Sequence, residues 1–132
     1  MEKEAMGKKV LVVDDEEDSR VLVAKVLRSH GYKVIGARSG EEAISLAQKE
    51  LPDLILMDVR LPGGIDGLEA TRRIKALPEL AHVPILAVTA SVRPEDERRA
   101  LDGGCDGFIR KPIDIDALPK QVAEYIAQAA KD

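Results

Sequence analysis

The sequence predicts an α/β fold of five βα units wound on both sides of one parallel sheet, and three observations predict it. Five short runs rich in Val, Ile and Leu are each followed by a segment whose apolar residues recur at helical spacing. The runs are apolar at consecutive rather than alternate positions, the pattern of strands covered on both faces. Aromatic residues make up only 2% of the 132, with no Trp, so the core has to be aliphatic packing between helices and sheet. Right-handed crossovers then put helices on both faces, and in such sheets ligands bind beyond the carboxyl ends of the strands, where strand order reverses.

Lys9-Val-Leu-Val-Val13 is the first strand, stopped by Asp14 and Asp15. The helix after it is expected to bury Leu22, Val23, Val26 and Leu27 and to end at Gly31. The second strand runs over 33–37. Ser39 with Glu42 three residues on forms a capping box for a helix that presents Ala43, Ile44, Leu46 and Ala47 and stops at Leu51-Pro52. Leu54-Ile-Leu-Met57 leads directly into Asp58, and a glycine-rich stretch over 62–67 precedes a helix of about 68–77 that Pro78 ends. Ile85-Leu-Ala-Val-Thr89 is the fourth strand; Pro94 suits a first helical turn, and Gly103-Gly104 closes that helix. The fifth strand is 108–110. The last helix carries Leu118, Val122, Tyr125, Ile126 and Ala129, and Asp116 as its N-cap would leave Pro119 at the third helical position, where no intrahelical N–H bond is lost. Gly-Gly-x-Asp-Gly occurs at 63–67 and at 103–107, once after a strand and once before one, so it reads as shared turn chemistry and not as a repeat.

At this length the chain is one domain. Twenty Lys and Arg against 24 Asp and Glu leave a net charge of −4, and stacking aromatics are scarce, so nucleic acid is not expected as a direct partner. The single Cys105 excludes an internal disulfide and reads as a small buried apolar residue, with redox sensing as the alternative. No apolar run approaches the ~20 residues that span a bilayer, and no apolar segment precedes Val10, so neither a membrane span nor a secretory signal is expected. A cytoplasmic setting follows, with 1–7 as a flexible tail and 8–130 as the domain. His30 and His82 lack partners at metal-ligand spacing and read as surface residues.

The residues at the carboxyl ends of the strands form a coherent set: Asp14 and Asp15 after the first, Asp58 after the third, Thr89 after the fourth, Lys111 after the fifth. The predicted fold converges them on one crevice. Two adjacent acids alone would serve equally well as a solvated turn. With Asp58 and Lys111 the set carries −3 + 1 = −2, the deficit one divalent cation cancels, and oxygen-only ligands favour Mg²⁺ or Mn²⁺. A carboxylate beside such an ion, with an ammonium and a hydroxyl, is also the equipment of phosphoryl transfer: an attacking oxygen is aimed in line while charge on the equatorial oxygens is neutralised. Asp58, alone at the end of the central apolar strand, is the candidate nucleophile that would form an aspartyl phosphate, and Asp14 and Asp15 are the candidate metal pair. Lys111 has an alternative as a surface lysine, but the Lys-Pro step after a buried strand directs its side chain into the crevice.

Val-Leu-Val-Val-Asp14-Asp15-Glu16, Pro52-Asp-Leu-Ile-Leu-Met-Asp58-Val-Arg-Leu-Pro62, Asp66-Gly67, Pro84-Ile-Leu-Ala-Val-Thr89-Ala90 and Phe108-Ile-Arg-Lys111-Pro112 stand in that order. Together they resemble the CheY-like receiver domain of two-component response regulators, over about 8–130. His82-Val-Pro-Ile, Gly103-Gly-Cys105 and Lys111-Pro-Ile are most similar to single-domain DivK-type regulators and hybrid-kinase receivers. The resemblance implies a flavodoxin-like (βα)5 sheet of strand order 2-1-3-4-5. It implies Asp58 as phosphoacceptor and a Mg²⁺ held by Asp15 directly, by Asp14 largely through water, by Asp58 and by the Arg60 carbonyl. Lys111, the Thr89 hydroxyl and the backbone amides of Arg60 and Ala90 would hold the phosphoryl oxygens. Thr89 and Phe108 would form a switch acting on the face of the fourth helix, fifth strand and fifth helix, where a downstream protein target binds, although Phe108 has an alternative as plain core. The same resemblance implies a cis bond between Lys111 and Pro112, a histidine kinase or histidine phosphotransfer protein as donor, and Arg60 and Ser91 as positions that tune the phosphate's lifetime. Two departures accompany it: Phe108 stands where many relatives have Tyr, and 62–67 is one residue longer than the usual Pro-x-apolar-Asp-Gly.

The sequence therefore reads as a phosphoacceptor signalling module, not a metabolic enzyme, which catalyses only its own phosphorylation and dephosphorylation. A receiver uses nearly all of the chain, so no effector domain is expected and output passes through a partner; a piece of a hybrid histidine kinase or larger regulator is the alternative. A haloacid-dehalogenase-type phosphatase needs a second Asp two residues after the nucleophile, where Arg60 stands, and no Gly-x-Gly-x-x-Gly or Gly-x-x-x-x-Gly-Lys follows a strand. A receiver that never accepts phosphate would be expected to have lost part of the acidic set.

Overall fold

Strands β1 (Lys9–Val13), β2 (Lys33–Ala37), β3 (Leu54–Asp58), β4 (Ile85–Thr89) and β5 (Gly107–Arg110) alternate with helices α1 (Glu17–Ser29), α2 (Gly40–Glu50), α3 (Gly67–Lys75), α4 (Pro94–Asp102) and α5 (Leu118–Lys131). This computed structural model describes residues 7–131 apart from Val92, so the tail expected at 1–7 lies, except for Gly7, outside the described residues. The strands form one sheet in the order β2-β1-β3-β4-β5. Every pair is parallel, with Val10 opposite both Val34 and Leu54, Asp58 opposite Val88, and Thr89 opposite Arg110. Strand order reverses beside β1, as expected, and the carboxyl ends of β1, β3, β4 and β5 lie along one edge.

The consecutive apolar residues are explained by the two covered faces. Val10, Val12, Leu54, Leu56, Leu86, Val88 and Ile109 pack with Val23, Ala24 and Leu27 of α1 and Leu118 and Val122 of α5. Their strand neighbours Leu11, Val13, Ile55, Met57 and Ile85 point the other way, against Ala43 and Ala47 of α2 and Ala70 and Ile74 of α3. Ala87 and Cys105 meet Ala100 of α4. Each fully buried Leu or Ile contributes about 1.5–3 kcal/mol, and β3 is buried at every residue. It is the one strand of the sheet with no partly exposed residue.

Helix ends follow the expected chemistry in most places. Ser39 Oγ accepts the Glu42 N–H at 3.1 Å while the Glu42 carboxylate accepts the Arg38 N–H at 2.7 Å. Asp66 accepts the Glu69 N–H at 2.8 Å and starts α3. Two expectations are corrected. Leu22 is 49% exposed, because the buried stripe of α1 is Val23, Ala24 and Leu27, and a residue one step from it is turned by about 100°. The cap before α5 is Asp114, whose carboxylate accepts the Asp116 and Ala117 N–H groups at 3.0 and 3.2 Å. Asp116 fails as a cap because one of the amides it needs belongs to Pro119, which has no N–H, and the other, Leu118, is bonded to the Asp114 carbonyl. The two glycine stretches differ in conformation: Gly63 and Gly64 both have positive φ, whereas of Gly103 and Gly104 only the second does. Among the described residues no helix is long and apolar enough to cross a membrane.

Candidate functional site

The edge formed by the strands' carboxyl ends collects the charged residues singled out in the sequence. The Asp14 N–H continues the sheet by bonding the Ala37 carbonyl at 3.0 Å, so the ladder carries the backbone right up to this acid. Asp14 is buried, its carboxylate accepting the Glu16 N–H at 2.9 Å, while Asp15 is exposed. Asp58 ends β3 and is also buried. Carboxylate oxygens of Asp14, Asp15 and Asp58 lie within 4.8 Å of one another.

Asp58 is held at both oxygens. Oδ1 accepts the Arg60 N–H at 3.0 Å and Oδ2 accepts the Lys111 ammonium at 3.0 Å. Burial nevertheless pushes the Asp58 carboxyl above its ordinary range, against the hydrogen bonds from Lys111 and Arg60, and the Asp14 charge adds to the rise. Burial alone would lower Lys111, but its bond to Asp58 and the charges of Asp58, Asp14 and Glu16 outweigh it and hold the ammonium above its usual value. The site thus keeps its cation firmly charged and its buried acid reluctant to ionise. That is the imbalance an added divalent cation corrects, and hard oxygen donors at this spacing fit Mg²⁺.

Around them lies a crevice of about 400 Å³ lined by Asp58, Arg60, Thr89, Ala90, Ser91, Asp96 and Lys111 among others. Thr89 stands at the end of β4, half-buried, its Oγ1 accepting the Ser91 N–H at 3.0 Å. The Lys111–Pro112 peptide is cis. Phe108 is not in this crevice. It is half-buried on β5 against Ala87, Ala100 and Cys105, and it lines a neighbouring cavity of about 460 Å³ with Val59, Leu61, Pro62 and Leu68. Cys105 is buried, and burial raises its thiol pKa, which favours the small-apolar reading over redox sensing. His30 is exposed and bonds the Val26 carbonyl at the end of α1; His82 is exposed as well.

Two contacts near the crevice escape a reading of the sequence. The Glu41 carboxylate, in the first turn of α2, accepts the Ile65 N–H at 3.0 Å and so tethers the longer 62–67 loop, and the partners are 24 residues apart with no local pattern to betray them. Ser91 donates its hydroxyl to Asp96 of α4; a Ser followed five residues later by an Asp at a helix start is the only signal.

The response regulator receiver domain profile matches residues 10–123. The polar-differentiation response regulator DivK of Brucella ovis is 41% identical over 124 residues, covering 94% of this chain and 100% of that protein. The chemotaxis protein CheY4 of Vibrio cholerae superposes with a TM-score of 0.86 at 32% identity, over 90% of this chain and 98% of that one. The receiver domain of a sensor histidine kinase of Pseudomonas aeruginosa, solved with a magnesium ion coordinated in its active-site cleft, gives a TM-score of 0.84 at 34% identity over 92% and 98% of the two chains. None of these relatives supports the haloacid-dehalogenase alternative. The expected sheet order and a family match along most of the sequence agree: the chain belongs to the response regulator receiver family of two-component signalling.

Proposed function

We propose that the chain is a cytoplasmic, phosphorylation-activated receiver in which a histidine kinase or histidine phosphotransfer protein delivers a phosphoryl group to Asp58. The observation that carries this is the setting of that carboxylate. It is buried at the end of β3, held between the Lys111 ammonium and the Arg60 amide, with two further carboxylates within 4.8 Å. A carboxylate oxygen of Asp58 attacks phosphorus as the donor's P–N bond breaks, and the imidazole leaves with the electron pair, so an acyl phosphate replaces a phosphoramidate. Lys111 is placed to neutralise charge on the incoming oxygens. Arg60, Ala90 and Thr89 line the same crevice, and the backbone amides of the first two and the Thr89 hydroxyl would supply donors to the remaining ones. Asp15, Asp14, Asp58 and the Arg60 carbonyl would hold Mg²⁺ or Mn²⁺, which when bound cancels repulsion between the acids and the phosphoryl group. The readout runs through Thr89 and Phe108, whose ring stands at a cavity able to receive it, to a protein target on the α4–β5–α5 face.

Incubation with Mg²⁺ and acetyl phosphate is expected to add one phosphoryl group, stable in acid but removed by hydroxylamine, as read by intact mass. A chain that stays unmodified, or whose adduct survives hydroxylamine, would overturn the reading. The metal is separable from the chemistry. Because only the folded chain gathers the three carboxylates, Mg²⁺ at a hundred times its Kd is expected to stabilise the fold by about 2.7 kcal/mol, which raises the melting midpoint by about 10 °C at this size. Asp15→Asn, at an exposed position, is expected to remove most of that increment while leaving the metal-free midpoint near its original value. A wild-type midpoint indifferent to Mg²⁺ would reject the metal assignment.

A further inference from the structure

We infer that Asp96 is a positioning residue for the Thr89 hydroxyl, acting through Ser91. Thr89 Oγ1 accepts the Ser91 N–H at 3.0 Å. Ser91 Oγ is committed in two directions, donating to the Asp96 carboxylate and accepting the Arg93 N–H at 3.2 Å. Asp96 is held in turn on α4, with the Arg93 and Arg99 guanidinium groups at 3.6 and 4.0 Å. The Ser91 hydroxyl bond is the chief reason the Asp96 carboxyl lies below its ordinary range, so the acceptor stays ionised and the bond charge-assisted.

The pair also stands in a telling place. Arg60, Thr89, Ser91 and Asp96 line both the crevice that holds Asp58 and the cavity that Phe108 borders. Asp96 and Ser91 are therefore part of the wall between phosphoacceptor and aromatic ring. For Thr89 to rotate into another staggered rotamer, its bond to the Ser91 N–H must be given up, and Ser91 cannot follow while Asp96 holds its hydroxyl. A phosphoryl group on Asp58 would set negative charge in the crevice that Asp96 also lines and draw on Arg60 and Arg93, which line it too. The Asp96–Ser91 bond thus favours the resting position of Thr89, by about tenfold for one hydrogen bond to a charged group.

The significance for signalling rests on the reading of Asp58 as phosphoacceptor, but the resonance test does not. The chain has two threonines, Thr71 and Thr89, and Thr71, buried and donating to the Gly67 carbonyl, serves as an internal reference. In unphosphorylated, methyl-labelled protein, Ser91→Ala and Asp96→Ala are expected to shift the Thr89 methyl resonance in the same direction, the double variant no further than either, with Thr71 unmoved. Asp96→Asn keeps a carbonyl acceptor for the Ser91 hydroxyl and is expected to restore most of the wild-type position. In acetyl phosphate, Asp96→Ala is expected to accumulate phosphoryl group about tenfold faster than wild type. A Thr89 methyl unmoved by Asp96→Ala, additive shifts in the double variant, or an effect of Asp96→Ala that Ser91→Ala does not reproduce would each overturn the inference. Wild-type protein that takes no phosphoryl group would instead reject the Asp58 reading and leave the Thr89 resonances to decide this one.

Discussion

Asp58→Asn is expected to reduce phosphoryl transfer from acetyl phosphate to background while the fold persists. The amide has the shape of the carboxylate and can still accept the Arg60 N–H that Oδ1 receives at 3.0 Å, but it offers no anionic oxygen to attack phosphorus. Its cost is the loss of Lys111's charged partner at 3.0 Å. That cost is modest because the Lys111 side chain is 27% exposed and water can take over part of its solvation, and because Asp58 itself gains from losing a charge that burial opposes. Intact mass after incubation, with a melting curve on the same sample, separates the two effects. Modification of the variant at the wild-type level would move the phosphoacceptor elsewhere, most simply to Asp14 or Asp15.

The largest stability effect is expected at a residue with no chemistry. Gly67 opens α3, and a Cβ there would fall on the carbonyl oxygen of Asp58 and crowd the Cα of Val59 at 3.0 Å. Neither obstacle is a side-chain end that can swing away; both are backbone at the end of the buried strand β3, and the Gly67 N–H binds the Val59 carbonyl at 3.1 Å. Gly67→Ala is therefore expected to cost about 3 kcal/mol or more, at the upper end for overpacking. It is also expected to slow phosphorylation, because whatever shifts carries Asp58 with it. Gly63 is the control. Its φ is +70° but nothing lies within 4 Å of the Cβ position, so Gly63→Ala meets only the left-handed backbone penalty of about 1–2 kcal/mol. Denaturant midpoints at unchanged slope measure both, and equal losses at the two positions would contradict the close approach of α3 to β3.

The fold and the core of the site were legible for the same reason: each element's signal is local. Consecutive apolar residues in Leu54-Ile-Leu-Met57 require cover on both faces, and parallel connectivity then leaves only one end of the sheet for Asp14, Asp15, Asp58, Thr89 and Lys111. What escaped was decided by distance or by competition. Leu22 matches the apolar pattern of α1 as well as Val26 does, and only the placement of the helix on the sheet selects Val23, Ala24 and Leu27. Asp114 and Asp116 are both plausible caps until the N–H groups are counted around Pro119. The tether from Glu41 to Ile65 spans 24 residues and depends on how α2 and the 62–67 loop approach each other, which no window of sequence contains.

The complete burial of β3 has a consequence for how a signal can leave this site. Asp58 sits on the strand buried at every residue, with neighbours on both edges and helices on both faces, so a bulky anion attached to it would find little room on the side of its own support. Across the crevice Thr89 and Ser91 are only half-buried and less confined. If Asp58 is the phosphoacceptor, it would act as the abutment and the β4–α4 side as the member that travels. A modification at the centre of the sheet would then be expected to act on the half-buried side of the crevice, where Thr89 and Ser91 stand.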